Sequence, residues 1–329
     1  MAKYPINKEF FSFSRIAPPI RNAQIAGWMG SKMKPPKWVA RNSDKEVFIQ
    51  KEKAESYDGS EFSIYVIVPY GLEERSPCLV YYHGGGFFFE GAGYHYKLAK
   101  QYALECECRV VFVQYRLAPK NPHPIPAEDC YAALRWTFEN AQRLRIDASQ
   151  IAVGGDSAGG ALAAAVCRMA RDRGTDLPCF QLLVYPVTDR RMNYESCRRY
   201  TDTPMWNAKL SAKMWEGYVQ DENAPDIAYA SPMEGESFSG LPTAYVETAE
   251  FDCLHDEAIA YAKALLSAGV DVTLNETHGT MHGFDIVEDA PTTKAAISAR
   301  ILFMKKQFSK FEKRCGDGNV ESLERLQEV

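Results

Sequence analysis

The chain carries one serine in a setting that suits a nucleophile. Residues 155–159 read Gly-Asp-Ser-Ala-Gly, with an apolar run before them and a run of small residues after them. The first run predicts a short buried strand and the second a buried helix, with a tight turn between them. Such a turn holds the Ser157 hydroxyl above the sheet, and a side chain at Gly155 or Gly159 would collide with neighbouring backbone. The chemistry predicted for Ser157 is attack on an acyl carbon. The alternative is a glycine-rich turn without chemistry, since short patterns of common residues recur by chance.

A second glycine-rich stretch suits the negative charge that develops on an acyl oxygen during such an attack. His83, Gly84, Gly85 and Gly86 directly follow a strand-like run. Consecutive glycines let the backbone bend and direct N–H groups inward, so the N–H groups of Gly84, Gly85 and Ala158 are predicted to form an oxyanion hole. A flexible turn or a phosphate cradle is the alternative, but neither P-loop nor Rossmann spacing follows this strand.

The general base and its orienting acid are expected on two later loops. His282 follows the last strand-like run, and Gly283 after it lets the loop bring the ring back over the sheet. Asp252 follows the preceding strand and is predicted to orient His282 and to stabilise its imidazolium form. Glu250 is the weaker competitor for that role, and Asp256 is expected to cap the next helix or to pair on its surface.

Alternating strand-like and helix-like segments position these loops. Strands are predicted, in chain order, at 47–49, 62–68, 78–82, 110–115, 150–153, 180–185, 243–248 and 270–274. Helices are expected between them, and a last helix at about 292–311 closes the domain. The alternation predicts a mostly parallel eight-stranded sheet with helices on both faces. Reactive groups on such a sheet belong on the loops at the carboxyl ends of its strands.

Two segments break this alternation. Residues 1–45 are rich in aromatic residues and proline, and residues 188–238 are polar and too long for an ordinary connection. We expect both to form a helical cap over a catalytic core made of 46–187 and 239–311. Residues 312–329 are expected to be a loosely held C-terminal extension.

Composition argues against several classes of protein. The 329 residues carry a formal net charge of −5, which disfavours nucleic acid as the main partner. Neither a signal-peptide core nor a run of ~20 apolar residues is present, so we expect a cytoplasmic protein without stable membrane insertion. The alternative for the N-terminal segment is a membrane-surface arm with Lys32, Lys34 and Lys37 as its basic face. Cys106 and Cys108 could form a metal site or a redox pair, but no second C-x-x-C or histidine cluster supports either, and neither metal nor cofactor is expected.

Together these motifs resemble the hormone-sensitive-lipase family of esterases, which includes many bacterial carboxylesterases. The resemblance is carried by residues 83–87 (HGGGF), 115–119 (YRLAP), 128–134 (EDCYAAL), 155–160 (GDSAGG), 252–257 (DCLHDE) and 282–284 (HGF). Within them His83, Gly86, Asp156, Gly155 and Gly159 support the site residues proposed above. The family usually has a proline after its acid, where this chain has Cys253.

The resemblance implies an α/β-hydrolase fold with a helical cap and a triad in the chain order Ser157, Asp252, His282. It implies a serine carboxylesterase that hydrolyses small, short-chain acyl esters through an acyl-enzyme intermediate. A lipase or an amidase with the same triad is the alternative. A non-catalytic receptor of the same fold is a further alternative, which His282 disfavours because the plant receptors of this family have lost that histidine. Some relatives dimerise through the sheet edge at the eighth strand, which suggests a homodimer here.

Overall fold

The computed structural model describes residues 3–13, 23–30 and 32–324 of the chain. Within these ranges, eight strands form one sheet in the order β1-β2-β4-β3-β5-β6-β7-β8. The strands are β1 (Val47–Glu55), β2 (Glu61–Pro69), β3 (Ser76–Tyr82), β4 (Arg109–Gln114), β5 (Ile146–Asp156), β6 (Gln181–Val184), β7 (Ala244–Phe251) and β8 (Val272–Met281). β2 pairs antiparallel with β1 and β4, and all other neighbours are parallel. This confirms the predicted mostly parallel eight-stranded sheet.

Helices cover both faces of the sheet. They are α1 (Ala23–Gly30), α2 (Lys37–Ala40), α3 (Gly93–Glu105), α4 (Ile125–Glu139), α5 (Ala158–Asp172), α6 (Glu195–Arg199), α7 (Ala208–Tyr218), α8 (His255–Ser267) and α9 (Pro291–Glu324). In β3 the Tyr81 ring meets Tyr102 of α3 edge-on, with ring centroids 6.2 Å apart. The next residue, Tyr82, donates a hydrogen bond to the Cys130 carbonyl of α4 at 3.0 Å. Because successive side chains of a strand point to opposite faces, α3 and α4 lie on opposite sides of the sheet.

The centre of the sheet and the helix after Ser157 make the core. Every residue of β3 from Cys78 to Tyr82 is buried, and β4 is buried from Arg109 to Val113, as expected of parallel strands covered on both faces. α5 is buried all round from Ala158 to Ala170. Its alanines and glycines let the helix approach the sheet closely, so its N-terminus sits firmly at the end of β5.

The ends of two elements differ from the sequence-based expectation. β8 extends to Met281 rather than ending near residue 274, so His282 follows the strand directly. The last helix continues to Glu324, beyond the end at about residue 311 that the sequence predicts. That residues 312–329 are a loosely held extension stays a prediction. Elongating an existing helix costs little per residue, and each glycine in the added segment opposes it by only ~1 kcal/mol. Residues 325–329 lie outside the described part of the chain.

The N-terminal segment packs against the loops at the carboxyl edge of the sheet. The Asn7 N–H donates to the Gly279 carbonyl at 2.8 Å, and the Phe10 ring meets Phe284 edge-on at 6.0 Å. A Cβ on Gly30 would lie 1.8 Å from the Phe88 carbonyl oxygen, so α1 lies tightly against the glycine-rich loop. Trp28 does not share this burial, since it is 65% exposed. No helix in the described ranges combines the length and the apolar character that crossing a membrane requires.

Candidate active site

The strand β5 ends and the helix α5 begins at a strained turn. Ser157 has φ = +55° and ψ = −119°, a conformation that residues other than glycine rarely adopt. A Cβ on Gly159 would lie 1.9 Å from the Tyr82 carbonyl oxygen, and one on Gly155 would lie 2.4 Å from the carbonyl carbon of Gly159. The predicted steric need for both glycines is thus confirmed. The Ser157 N–H donates to the Val184 carbonyl at 2.9 Å, which fixes the turn to the neighbouring strand β6.

Three side chains from the ends of three strands form one hydrogen-bonded line. His282 Nε2 lies 2.8 Å from Ser157 Oγ, and His282 Nδ1 lies 2.6 Å from Asp252 Oδ2. Asp252 is completely buried, and its Oδ1 accepts a hydrogen bond from the Leu254 N–H at 3.0 Å. The acid is therefore held at both oxygens, and the imidazole bridges it to the hydroxyl. This is the geometry in which a neutral histidine can accept the serine proton.

The two competing acids point elsewhere. Glu250 accepts a hydrogen bond from the Gly279 N–H at 2.7 Å and lies 3.8 Å from Nδ1 of the exposed His278. Asp256 lies in the first turn of α8, accepts from the Ser196 N–H at 2.8 Å and pairs with His255. Both carboxylates are thus engaged away from the line through Ser157.

A buried ionic cluster supports the loop that carries His282. Tyr185 meets the His282 ring edge-on at 4.7 Å, and its hydroxyl donates to Asp285 Oδ2 at 3.2 Å. Arg300 of α9 donates to the same oxygen at 2.7 Å and also pairs with Glu247 of β7. Burial raises the pKa of Asp285, and the Arg300 charge opposes that rise. The cluster ties the histidine loop to the last helix and to strand β7.

The Gly84 N–H does not point where the sequence analysis placed it. It donates to Asp156 Oδ1 at 3.1 Å, whereas Gly85 and Gly86 line the cavity above Ser157. A Cβ on Gly84 would lie 2.2 Å from Asp156 Oδ2, so this glycine is pressed against the carboxylate. The prediction of Gly84 as an oxyanion donor is corrected, because Asp156 already takes its N–H. A glycine-rich motif does not reveal which of its N–H groups a buried acid will bind.

Asp156 anchors the glycine-rich loop through three donors. Tyr81 Oη donates to Oδ1 at 2.6 Å, and His95 Nε2 lies 3.1 Å from Oδ2. The Ala92 N–H donates to His95 Nδ1 at 2.9 Å, so Nε2 carries the ring proton and donates to the acid. Burial by itself would raise the pKa of Asp156, but the hydrogen bonds from His95 and from the Tyr81 hydroxyl outweigh it and hold the pKa at about 2.

His83 stacks between aromatic rings beneath this loop. Its ring is nearly parallel to Tyr115 at 4.5 Å, and Nδ1 lies 2.8 Å from the Gly84 carbonyl oxygen. Burial lowers the pKa of His83 to about 4. At neutral pH His83 is therefore an uncharged ring that shapes the loop, and it is too far inside the fold to line the cavity.

A cavity of about 240 Å³ opens directly above Ser157 and His282. Its walls come from the glycine-rich loop, from the N-terminal segment through Met33, and from the segment after β6 through Met205 and Trp206. The Trp206 ring lies 6.1 Å from the His282 ring. Both irregular segments of the chain therefore meet over the nucleophile.

The cysteines do not build a metal site within the described ranges, where no group of three or more His, Cys, Asp or Glu side chains is placed to hold an ion. Cys106 and Cys108 are both buried, and Cys108 Sγ lies 3.6 Å from the Tyr102 carbonyl oxygen.

Four residues that bind Asp156 or line the cavity were not predicted from the sequence. His95 and Tyr81 bind Asp156, and Glu90 and Trp206 line the cavity. None of them belongs to a motif with a chemical signature in its spacing. The sequence offers one signal for them: residues 87–96 (FFFEGAGYHY) hold more aromatic residues than a surface loop usually does, which indicates that this segment is buried.

Comparisons with known proteins add to this geometry. A family model described as alpha/beta hydrolase fold matches residues 79–286. Carboxylesterase NlhH of Mycobacterium tuberculosis is 37% identical over 237 residues, covering 71% of this chain and 74% of that protein. Ethyl acetate hydrolase of Pseudomonas putida is 36% identical over 221 residues, covering 65% and 69%. The solved structure of a bacterial heroin esterase has a TM-score of 0.77 at 34% identity, covering 87% of this chain and 89% of that one. The family match includes Ser157, Asp252 and His282.

Proposed function

The chain belongs to the α/β-hydrolase fold family and is a carboxylic ester hydrolase of the hormone-sensitive-lipase-like group, and we propose that it works through Ser157, His282 and Asp252. In this proposal Ser157 Oγ attacks the ester carbonyl while His282 Nε2 takes its proton. His282 then protonates the leaving alcohol. A water molecule, activated by the same imidazole, releases the acid from the acyl-serine.

One observation carries the proposal: Asp252, His282 and Ser157 form a continuous line with heavy-atom distances of 2.6 and 2.8 Å. Both distances lie in the range that proton transfer needs. The buried Asp252 can hold the imidazole with its Nδ1 proton toward the acid, which leaves Nε2 to face the serine. The same acid favours the imidazolium that forms when Ser157 loses its proton.

We propose that the N–H groups of Gly85, Gly86 and Ala158 stabilise the oxyanion. Gly85 and Gly86 line the cavity beside Ser157, and Ala158 is the first residue of α5. Partial positive charge at that helix N-terminus adds to the donors. Loss of one such donor typically costs ~10²–10³ in kcat.

We propose short acyl esters as the substrates. The cavity of about 240 Å³ is smaller than the ~300–1,000 Å³ of pockets that enclose drug-sized ligands. Met33, Met205 and Trp206 close it from the side of the two irregular segments, which we propose form the cap predicted from the sequence. A long acyl chain would have to displace them. A homodimer through the edge of β8 stays a prediction.

The test is hydrolysis of 4-nitrophenyl acetate, butyrate and decanoate by the wild type and by Ser157→Ala. We expect kcat/KM to fall from butyrate to decanoate and the variant to lose on the order of 10⁶ in kcat. The variant should keep its melting temperature, because the hydroxyl is small and at the cavity surface. A variant that keeps most of its activity would refute the nucleophile, and a preference for decanoate would refute the short-chain proposal in favour of a lipase.

A further inference from the structure

One acidic residue in the cavity wall takes no part in the proposed mechanism. Glu90 follows the glycine-rich loop and lines the cavity above Ser157. It also lines a larger groove of about 610 Å³ on the outer side, together with Trp28, Pro119 and Lys120. Glu90 therefore stands between the reacting centre and the surface, where part of a substrate other than its ester group would lie.

Within the described part of the chain, Glu90 meets no compensating charge on the cavity side. Arg116 and Lys120 line the outer groove with it, and Arg116 is paired with Asp58 and Asp129. No lysine or arginine is among the described residues that line the cavity. The other acid there, Asp156, is held by three donors, as described above. Glu90 Oε2 accepts from Gln114 Nε2 at 3.4 Å, a long hydrogen bond, and Gln114 also donates to the Tyr96 hydroxyl at 3.0 Å. Burial raises the pKa of Glu90 to about 7. A carboxylate in such a place gains most from a cation that enters the cavity.

The rest of the wall would suit the same cation. Phe89, Tyr94 and Trp206 present aromatic rings to the cavity, and aromatic faces attract ammonium groups, quaternary ones included. An alkyl ammonium group is also apolar over most of its surface, so it fits a wall in which methionine and aromatic side chains predominate. A purely structural Glu90 would need a close partner, and its hydrogen bond to Gln114 is long.

We propose that Glu90 makes this esterase selective for esters that carry an ammonium group, which its carboxylate and the neighbouring aromatic rings bind while Ser157 attacks the ester. The inference rests on the proposed function, because it assigns a substrate class to the same site. Glu90 is a specificity residue in this account and takes no part in proton transfer.

The test uses pairs of esters that have the same shape and differ in charge. Acetylcholine and 3,3-dimethylbutyl acetate place the charge in the alcohol. Ethyl 4-(trimethylammonio)butanoate and ethyl 5,5-dimethylhexanoate place it in the acyl group. The ratio of kcat/KM, charged over neutral, is measured at about pH 8 for the wild type, Glu90→Gln and Glu105→Gln. Glu105 is exposed at the end of α3, so its variant makes the same charge change away from the cavity.

In at least one pair we expect the ratio to fall roughly 10- to 100-fold in Glu90→Gln and to stay within about 2-fold of wild type in Glu105→Gln. Comparing ratios between variants cancels the intrinsic reactivity of each ester. If Glu90→Gln and the wild type give the same ratios for both pairs, the inference is overturned, and the proposed esterase function is unaffected. A wild type inactive on both neutral esters and on 4-nitrophenyl acetate overturns the proposed function itself.

A second measurement needs no variant. Choline should inhibit hydrolysis of 4-nitrophenyl acetate by the wild type competitively, at a concentration roughly 10-fold lower than its neutral analogue 3,3-dimethylbutan-1-ol. Equal or weaker inhibition by choline would contradict the inference even if Glu90→Gln failed to fold.

Discussion

Replacing Asp156 by asparagine tests how the glycine-rich loop is held beside the nucleophile. The native carboxylate accepts from the Gly84 N–H and Tyr81 at Oδ1 and from His95 at Oδ2. In Asp156→Asn one of these positions becomes an NH2 group. His95 cannot become an acceptor at Nε2 by changing its tautomer, because Nδ1 must stay unprotonated to accept the hydrogen bond from the Ala92 N–H. A donor must therefore face a donor in the variant.

The loss of stability in Asp156→Asn has two contributions. The pKa of Asp156 lies at about 2 against an ordinary value of 3.8, which corresponds to roughly 2–3 kcal/mol of preference for the ionised form. The unsatisfied donor adds about 1–3 kcal/mol. Together they predict a loss of about 3–6 kcal/mol in the free energy of unfolding. We also expect kcat to fall about 10- to 100-fold with little change in KM, because a loosened Gly84 lets Gly85 and Gly86 drift from the oxyanion.

The assay is urea unfolding together with kcat and KM on 4-nitrophenyl butyrate, with Asp176→Asn, in the exposed loop after α5, as the matched control. The double variant His95→Gln/Asp156→Asn offers an amide oxygen to the new NH2 group and should recover part of the lost stability. The reasoning is refuted if Asp156→Asn stays within about 1 kcal/mol and about 3-fold in kcat of the wild type.

Two further predictions concern folding. Gly159→Ala should yield no folded, active enzyme, because its Cβ would lie 1.9 Å from the Tyr82 carbonyl oxygen, whereas Gly93→Ala, with its nearest atom at 4.0 Å, should be tolerated. Circular dichroism and activity decide this, and a fully active Gly159→Ala enzyme would contradict it. Glu257 is completely buried; burial raises its pKa well above the ordinary value, although the Thr188 N–H opposes the rise. The folded protein therefore favours the protonated form of Glu257. Its contribution to stability is complete below the unfolded-state pKa of ~4.3 and is lost as pH rises from there toward the higher folded-state pKa. Glu257→Gln should raise the melting temperature more at about pH 8 than at about pH 5, and equal shifts at both pH values would be evidence against an ionisable buried acid.

The meeting of the three proposed triad residues could be predicted from the sequence, because their positions in the chain are linked to the strands of the sheet. Ser157, Asp252 and His282 each follow a strand of a parallel sheet, and the carboxyl ends of such strands meet at one edge. The steric need for Gly155 and Gly159 follows from the same turn.

What the sequence could not predict depends on packing between distant segments. The Gly84 N–H points toward Asp156 because it donates a hydrogen bond to that carboxylate. The orientation of the carboxylate in turn depends on a hydrogen bond from His95 of α3. Glu90 belongs to no motif, and its place in the cavity wall depends on two irregular segments that meet there. The glycines at 316 and 318 favour a helix end, whereas α9 continues past them to Glu324.

The most direct measurement of the central claim is covalent labelling. Diethyl 4-nitrophenyl phosphate transfers its phosphoryl group to an activated serine, and mass spectrometry of the digested protein locates it. We predict one diethylphosphoryl group, on the peptide that contains Ser157, no label in Ser157→Ala, and much slower labelling in His282→Ala. Stoichiometric label on another residue, with Ser157 unmodified and activity lost, would contradict the account.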